Sequence, residues 1–149
     1  MINTPWLFID ELSNEYRTYR KTVMEKYALS AIEVDVILFL ANNTEIDLAA
    51  DIAKMTNRQK SHISMAVKAL TEKGYLHTEP DLHNQKKMHL KITESAEDIV
   101  EFGKEMQKSF INMVYTGFTP EEILYFSEMC NRILKNIRDM REKKEEVDR

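Results

Sequence analysis

The sequence is poor in the features from which most enzymes and secreted proteins are built. Its three glycines lie at 74, 103 and 117, too far apart for a Gly-rich dinucleotide fingerprint or a P-loop. HExxH and GxSxG are absent as well, and no polar constellation points to catalysis, so an enzyme is not expected. Cys130 is the sole cysteine, which excludes an intrachain disulfide and suits a reducing cytoplasm. Proline is equally scarce, so a mostly helical chain is expected. The longest apolar run, residues 36–41, is too short to span a bilayer, and no membrane association is expected. The opening MINTPWLFIDEL has no basic residue before its two acids and does not read as a secretory signal.

What is present is an uneven distribution of charge. The chain carries a net charge of −4, yet residues 54–91 hold eight Lys and Arg against three acids, together with all four histidines. A cationic patch on an acidic body is the footprint of a phosphate-binding surface. Three of those histidines, His77, His83 and His89, recur at six-residue spacing. On a solvated strand pair they read as phosphate-facing or idle rather than as metal ligands, and no cofactor or metal is expected.

The patch begins within residues 51–74, which read as a helix, a tight turn and a second helix. Such a motif needs a small residue where the helices cross, a turn residue with positive φ four positions on, and an inward apolar anchor six further on. Ala53, Asn57 and Ile63 meet these needs, Asn tolerating the left-handed region better than any residue but Gly. Ile63, Ala66, Val67 and Leu70 share one face of the second helix and should turn inward. Gln59, Lys60, Ser61, Ser64, Met65 and Lys68 then point outward, with His62 near the boundary. Lysines beside short hydrogen-bonding groups are what a helix inserted into a DNA major groove requires. Gly74 ends the helix in the left-handed conformation.

The flanks are organised around this motif. Residues 5–25 should form a first helix whose stripe, Trp6, Phe8, Ile9, Leu12, Tyr16, Tyr19 and Val23, calls for burial. Ser30, Glu33 and the Leu29/Val34 pair spell a capping box and staple for a core helix reaching about Ala41. Ile46 is expected to pair briefly as a strand, and Asp47 to cap a helix over residues 48–54. Residues 75–78 and 88–92 alternate with period two and are joined by a polar loop, which makes a wing. Thr93 is expected to cap a long helix to about Tyr115, broken by Gly117. Thr119, Pro120 and Glu122 start the last helix. Phe126, Cys130, Ile133, Ile137 and Met140 form a coiled-coil-like seam along it, where Cys130 reads as packing. After Arg141 the apolar face ends and the tail is expected to fray.

The order of elements, with Leu29-Ser30, Ile52-Ala53, Lys60-Ser61-His62-Ile63-Ser64, Leu70-Thr71-Glu72-Lys73-Gly74-Tyr75-Leu76 and Ile92-Thr93, resembles the MarR family of bacterial transcription regulators over nearly the whole chain. The resemblance implies a mainly α fold with a small β wing. Residues 29–93 would be a winged helix-turn-helix DNA-binding domain, and residues 1–28 and 94–149 a helical dimerisation region. It also implies a homodimer with interlocking terminal helices, for which Trp6, Phe8, Phe118, Phe126, Ile133 and Ile137 are the candidate interface. Family wings usually carry an Asp-Arg-Arg run, where this chain has Asn84-Gln85-Lys86. Arginines common elsewhere in the family are Thr78 and Met65 here.

The function expected is that of a sequence-specific regulator, a repressor, bound to a pseudo-palindromic operator in double-stranded DNA. Gln59, Lys60, Ser61, His62, Ser64 and Met65 would meet bases and phosphates, Arg58 and Lys68 phosphates, and Lys86 and Lys87 the minor groove. A small aromatic ligand between the terminal helices and the winged domain would modulate affinity, and Tyr16, Tyr19, Met113 and Tyr115 are candidates for its pocket. The competing expectation is a winged-helix protein-interaction module with weak or no DNA binding, suggested by the missing wing arginines.

Overall fold

Ser30 caps helix α2 (Ala31–Asn42) as its sequence predicts. Its hydroxyl accepts from Glu33 N at 3.2 Å, while the Glu33 carboxylate accepts from Ser30 N at 2.8 Å. The computed structural model describes residues 5–148; the first four residues of the N-terminal stretch lie outside them. Helix α1 spans Pro5–Tyr27, α3 Ala49–Thr56 and α4 Lys60–Glu72; strands β1 (Leu76–Pro80) and β2 (Met88–Ile92) follow, then a short 3-10 turn at Glu94–Ala96, α5 (Glu97–Val114) and α6 (Pro120–Val147). The chain forms two compact units, one ending at Phe110 and one beginning at Ile111.

In the first unit α2 is the central element, buried at Val34, Val36, Ile37, Leu38 and Leu40. Val23, Ile52, Ile63, Leu70, Leu76 and Ile99 pack around it in one core, each worth about 1.5–3 kcal/mol of burial. Gly103 of α5 is part of that packing, since a Cβ there would collide with Leu38 Cδ2. Tyr16 and Tyr19 meet Phe110 edge-on at 5.2 and 5.5 Å between ring centroids, a favoured arrangement of ring quadrupoles. The strands pair antiparallel from Leu76 opposite Ile92 to Pro80 opposite Met88.

In the second unit Thr119 caps α6 with a reciprocal Glu122 box and Pro120 at its start. Tyr115 packs edge-on against Phe118 and Phe126. Helix α6 is 28 residues long and buries none of them.

Several expectations are corrected. Ile46 does not pair; Leu48 does, bridging to His89 while Leu90 N donates to Asp47 O at 2.8 Å. Asp47 does not cap α3: the cap position falls on Leu48, which offers no side-chain bond, because the Asp47 carboxylate is engaged by His89 and Lys91. Thr93 likewise makes no side-chain cap, its hydroxyl donating instead to Gly74 O at 2.6 Å. Beyond Arg141 the helix continues to Val147, a stretch of Glu and Lys with high helix propensity. The burial expected of Trp6, Phe8 and Ile9 is not met by the described residues of a single chain, where they are 70%, 53% and 50% exposed.

Candidate nucleic-acid interface

The turn between α3 and α4 is built as its residues require. Asn57 sits at φ 52°, ψ 41°, Arg58 N donates back to Ala53 O at 3.0 Å, and Ala53 and Ile63 are buried. Helix α4 thus turns Ile63, Ala66 and Leu70 inward. Lys60, Ser61, His62, Ser64, Met65 and Lys68 remain exposed, as does Gln59 at the cap. His62 is therefore fully on the outer face rather than at its boundary. The face holds no acid before Glu72, so its basic side chains and the helix N-terminus carry the same sign of charge.

The C-terminal end of α4 is anchored. Gly74 takes φ 80°, and Gly74 N and Tyr75 N donate to Thr71 O and Leu70 O, which closes the helix with a left-handed residue. Lys73 donates to the buried Glu33 carboxylate at 2.9 Å, tying the C-terminal end of α4 to the start of α2. Thr93 and Ser95 hydroxyls both donate to Gly74 O, which ties the base of the wing to the same point.

At the wing tip Asp81 organises the turn. Its Oδ1 accepts from His83 N and Asn84 N at 2.9 Å, and its backbone N donates to Lys87 O. Lys86 and Lys87 stand exposed on this turn. Leu82 on the same turn is 95% exposed. The hydrogen bond from His89, and those from the His83 and Asn84 amides, hold Asp81 below the usual carboxylate range. Burial pulls Asp47 up, but hydrogen bonds from Lys91 and His89 outweigh it and leave it lowered. Hydrogen bonds to Asp47 and then Asp81 raise His89, and the bond to Asp47 raises Lys91.

Arg58 does not join the outer face. Its guanidinium turns inward and donates to Asp35 Oδ2, an oxygen shared with Arg20 at 2.8 Å. The expectation that it meets phosphate left out Asp35, a half-buried acid of α2 just before the apolar run at residues 36–41, which needs a partner there. Beside this triad lies a cavity of about 520 Å³ lined by Leu12, Tyr16, Arg17, Arg20, Arg58 and Phe110. Of the candidate ligand-pocket residues it contains Tyr16; Tyr19 packs on Phe110, while Met113 and Tyr115 belong to the second unit. Arg20 Nε is buried without a partner.

Residues 29–96 match the family model described as a winged helix DNA-binding domain. No curated protein matches the chain in sequence. The solved structure of MarR superposes with a TM-score of 0.76 at 19% identity, over 96% of this chain and 98% of that one. The chain has the MarR fold. The MarR fold is shared with a protein from Listeria monocytogenes, assigned to the MarR family of transcriptional regulators and crystallised with a 26mer DNA, at a TM-score of 0.82 and 16% identity over 93% of this chain and 91% of that one. It is shared too with MepR of S. aureus in a DNA complex, at 0.73 and 15% over 91% and 99%. In this MarR-like chain the helix-turn-helix and wing are the parts described above, and no helix among the described residues is long and apolar enough to cross a membrane.

Proposed function

We propose that the chain is a homodimeric, sequence-specific DNA-binding transcription regulator, a repressor that binds a pseudo-palindromic operator. The observation that carries the reading is the outer face of α4, where Gln59, Lys60, Ser61, His62, Ser64, Met65 and Lys68 are exposed together with no acid among them. On a winged-helix scaffold such a face is shaped for a major groove, with Lys86 and Lys87 reaching the flanking minor groove. DNA-bound relatives of the same fold support the reading.

Exposure supports a division of labour. Residues 29–93 would bind DNA, and residues 1–28 and 94–149 would dimerise. Support comes from the apolar side chains left uncovered in one chain: Trp6, Phe8, Phe118, Ile133 and Ile137 are exposed, whereas Phe126 is half-buried. A 28-residue helix that buries nothing alone while exposing Leu124, Ile133, Leu134, Ile137 and Met140 carries the kind of apolar surface that marks an interface. Two α4 helices about 34–36 Å apart would enter successive major grooves.

The cavity beside Asp35 would admit a small aromatic anion, its ring against Tyr16 and Phe110 and its charge against Arg17, Arg20 and Arg58. A ligand there competes with Asp35 for Arg58, which adjoins the helix-turn-helix turn, and it shifts operator affinity only if it prefers one geometry.

Gel shift with the chain's own upstream DNA tests the DNA reading. Wild type is expected to shift it, and Lys60→Ala and Ser61→Ala to weaken the shift. On a random duplex, neutralising about eight phosphates per dimer gives a log K against log salt slope of roughly −7. A slope near zero with no shift favours the alternative, a winged-helix protein-interaction module, for which the lysines in place of wing arginines argue. Release of operator by phenolic acids tests the ligand.

A further inference from the structure

His89 of β2 lies between two carboxylates contributed by different segments. Its Nδ1 is 2.6 Å from Asp47 Oδ1, in the segment before α3, and its Nε2 is 2.9 Å from Asp81 Oδ2, at the wing tip. A neutral imidazole has one N–H and can donate to only one of them; ionised carboxylates have none to give. The arrangement is satisfied only by the doubly protonated ring.

We infer that His89 is a positioning residue for the wing, an imidazolium that clamps the tip turn carrying Lys86 and Lys87 to the body through Asp81 on one side and Asp47 on the other. The inference rests on the reading of Lys86 and Lys87 as DNA-binding residues only for its consequence, not for the clamp itself. Asp81 joins the clamp to the turn because its two oxygens do different things: Oδ1 caps the tip turn through His83 N and Asn84 N, and Oδ2 takes the His89 ring. Asn84 in turn accepts from Lys86 N with its side chain and from Lys87 N with its backbone. The chain of bonds from the His89 ring to the two lysines is thus continuous.

The charged groups around the ring are few. From the segment before α3 comes Asp47; from the tip, Asp81; along β2, Lys91, which bonds Asp47 Oδ2 at 2.8 Å; and from β1, Glu79, opposite His89 in the register but bonded to His77. Loss of the His89 proton leaves one carboxylate facing a ring nitrogen lone pair, which repels it. Asp47 retains Lys91; Asp81 retains only the tip amides, so the wing tip is the side that lets go. The ring's proton affinity is raised in the folded chain, so the clamp is complete below the ordinary histidine value of about 6.5 and is lost as pH rises through the raised folded one.

The test titrates the full-length protein from about pH 5.5 to about pH 9 by NMR, a range that brackets the ordinary histidine value. It follows the His89 ring and the backbone amides of Asn84, Lys86 and Lys87, with DNA affinity measured in parallel on upstream DNA. The expected result is a His89 midpoint above about 6.5, with the three amides moving at the same midpoint. Operator affinity should fall by roughly threefold to tenfold over that interval, the effect of one proton linked to binding. In His89→Gln and Asp81→Asn the amides should no longer follow that midpoint, and affinity should lose this component. A His89 midpoint at or below about 6.5, or tip amides indifferent to it in wild type, overturns the clamp whether or not the variants fold. Amides that follow His89 in a protein that binds no DNA at any pH support the clamp and instead overturn the DNA reading.

Discussion

Arg58, adjacent to the turn residue of the helix-turn-helix, donates to Asp35 Oδ2 from 23 positions further along the chain. The same oxygen accepts from Arg20, so one carboxylate holds α1, α2 and the turn between α3 and α4 together. Side chains here are 15–35% exposed, which places the bonds between surface pairs of little worth and buried ones whose disruption is costly. Asp35→Ala, which leaves two guanidiniums without their acceptor, is expected to destabilise by about 1–3 kcal/mol in urea unfolding.

The orientation of Arg58 also separates stability from DNA binding. Arg58→Ala should lower the unfolding midpoint and leave the salt dependence of DNA binding unchanged. Lys60→Ala should do the reverse, reducing the slope by about 0.9 for each phosphate that is no longer neutralised. Equal slopes for the two variants would show that Arg58 swings out to the phosphates on binding.

Among the described residues two other than glycine take positive φ, Ala28 and Asn57, both at 52°. Alanine in that region is strained by roughly 1–2 kcal/mol, and glycine is not. Ala28→Gly is therefore expected to be neutral or to stabilise by up to about 1 kcal/mol, after the entropy of the freer unfolded chain is subtracted. Asn57→Ala should destabilise by about 1 kcal/mol while Asn57→Gly should not. Thermal melts of the three variants decide this.

Stability against pH should follow the wing cluster. Asp47 and Asp81 are lowered in the folded chain, so their contribution is present above the ordinary value of about 4 and is lost as acid is added through their folded values. His89 is raised, so its contribution fades as base is added. Melting temperature should be highest between the two, and His89→Gln should remove the fall on the alkaline side near neutrality.

The uncovered face of α6 should be an interface. Sedimentation is expected to give twice the 17.6 kDa chain mass, and Ile133→Glu with Ile137→Glu to return the protein to one chain, since a charge on a buried seam cannot be solvated. A wild-type protein that sediments as a single chain would remove the proposed dimer.

The parts legible in the sequence were those decided within a few residues. The Ser30 and Thr119 caps, the left-handed Asn57 and Gly74, the inward stripe of α4 and the alternation of the strands all express preferences that a residue and its near neighbours settle by themselves. Asp47 and Thr93 were misread for a related reason: each has the side chain of a cap, but each finds a stronger partner from a distant segment. The pattern also showed that Trp6, Phe8 and the α6 seam want covering, since apolar periodicity specifies a face and not its occupant.

By itself, then, the chain order determined helix ends, turn conformations and which side of each helix is apolar, because backbone dihedrals and amphipathic period are short-range properties. Only the tertiary structure decided that Arg58 faces Asp35 rather than solvent, that His89 joins Asp47 to Asp81, and that Lys73 reaches Glu33. Charged side chains are long and choose partners by distance in space, and the separations of 23, 42 and 40 positions between these residues are closed only when the core beneath them has packed.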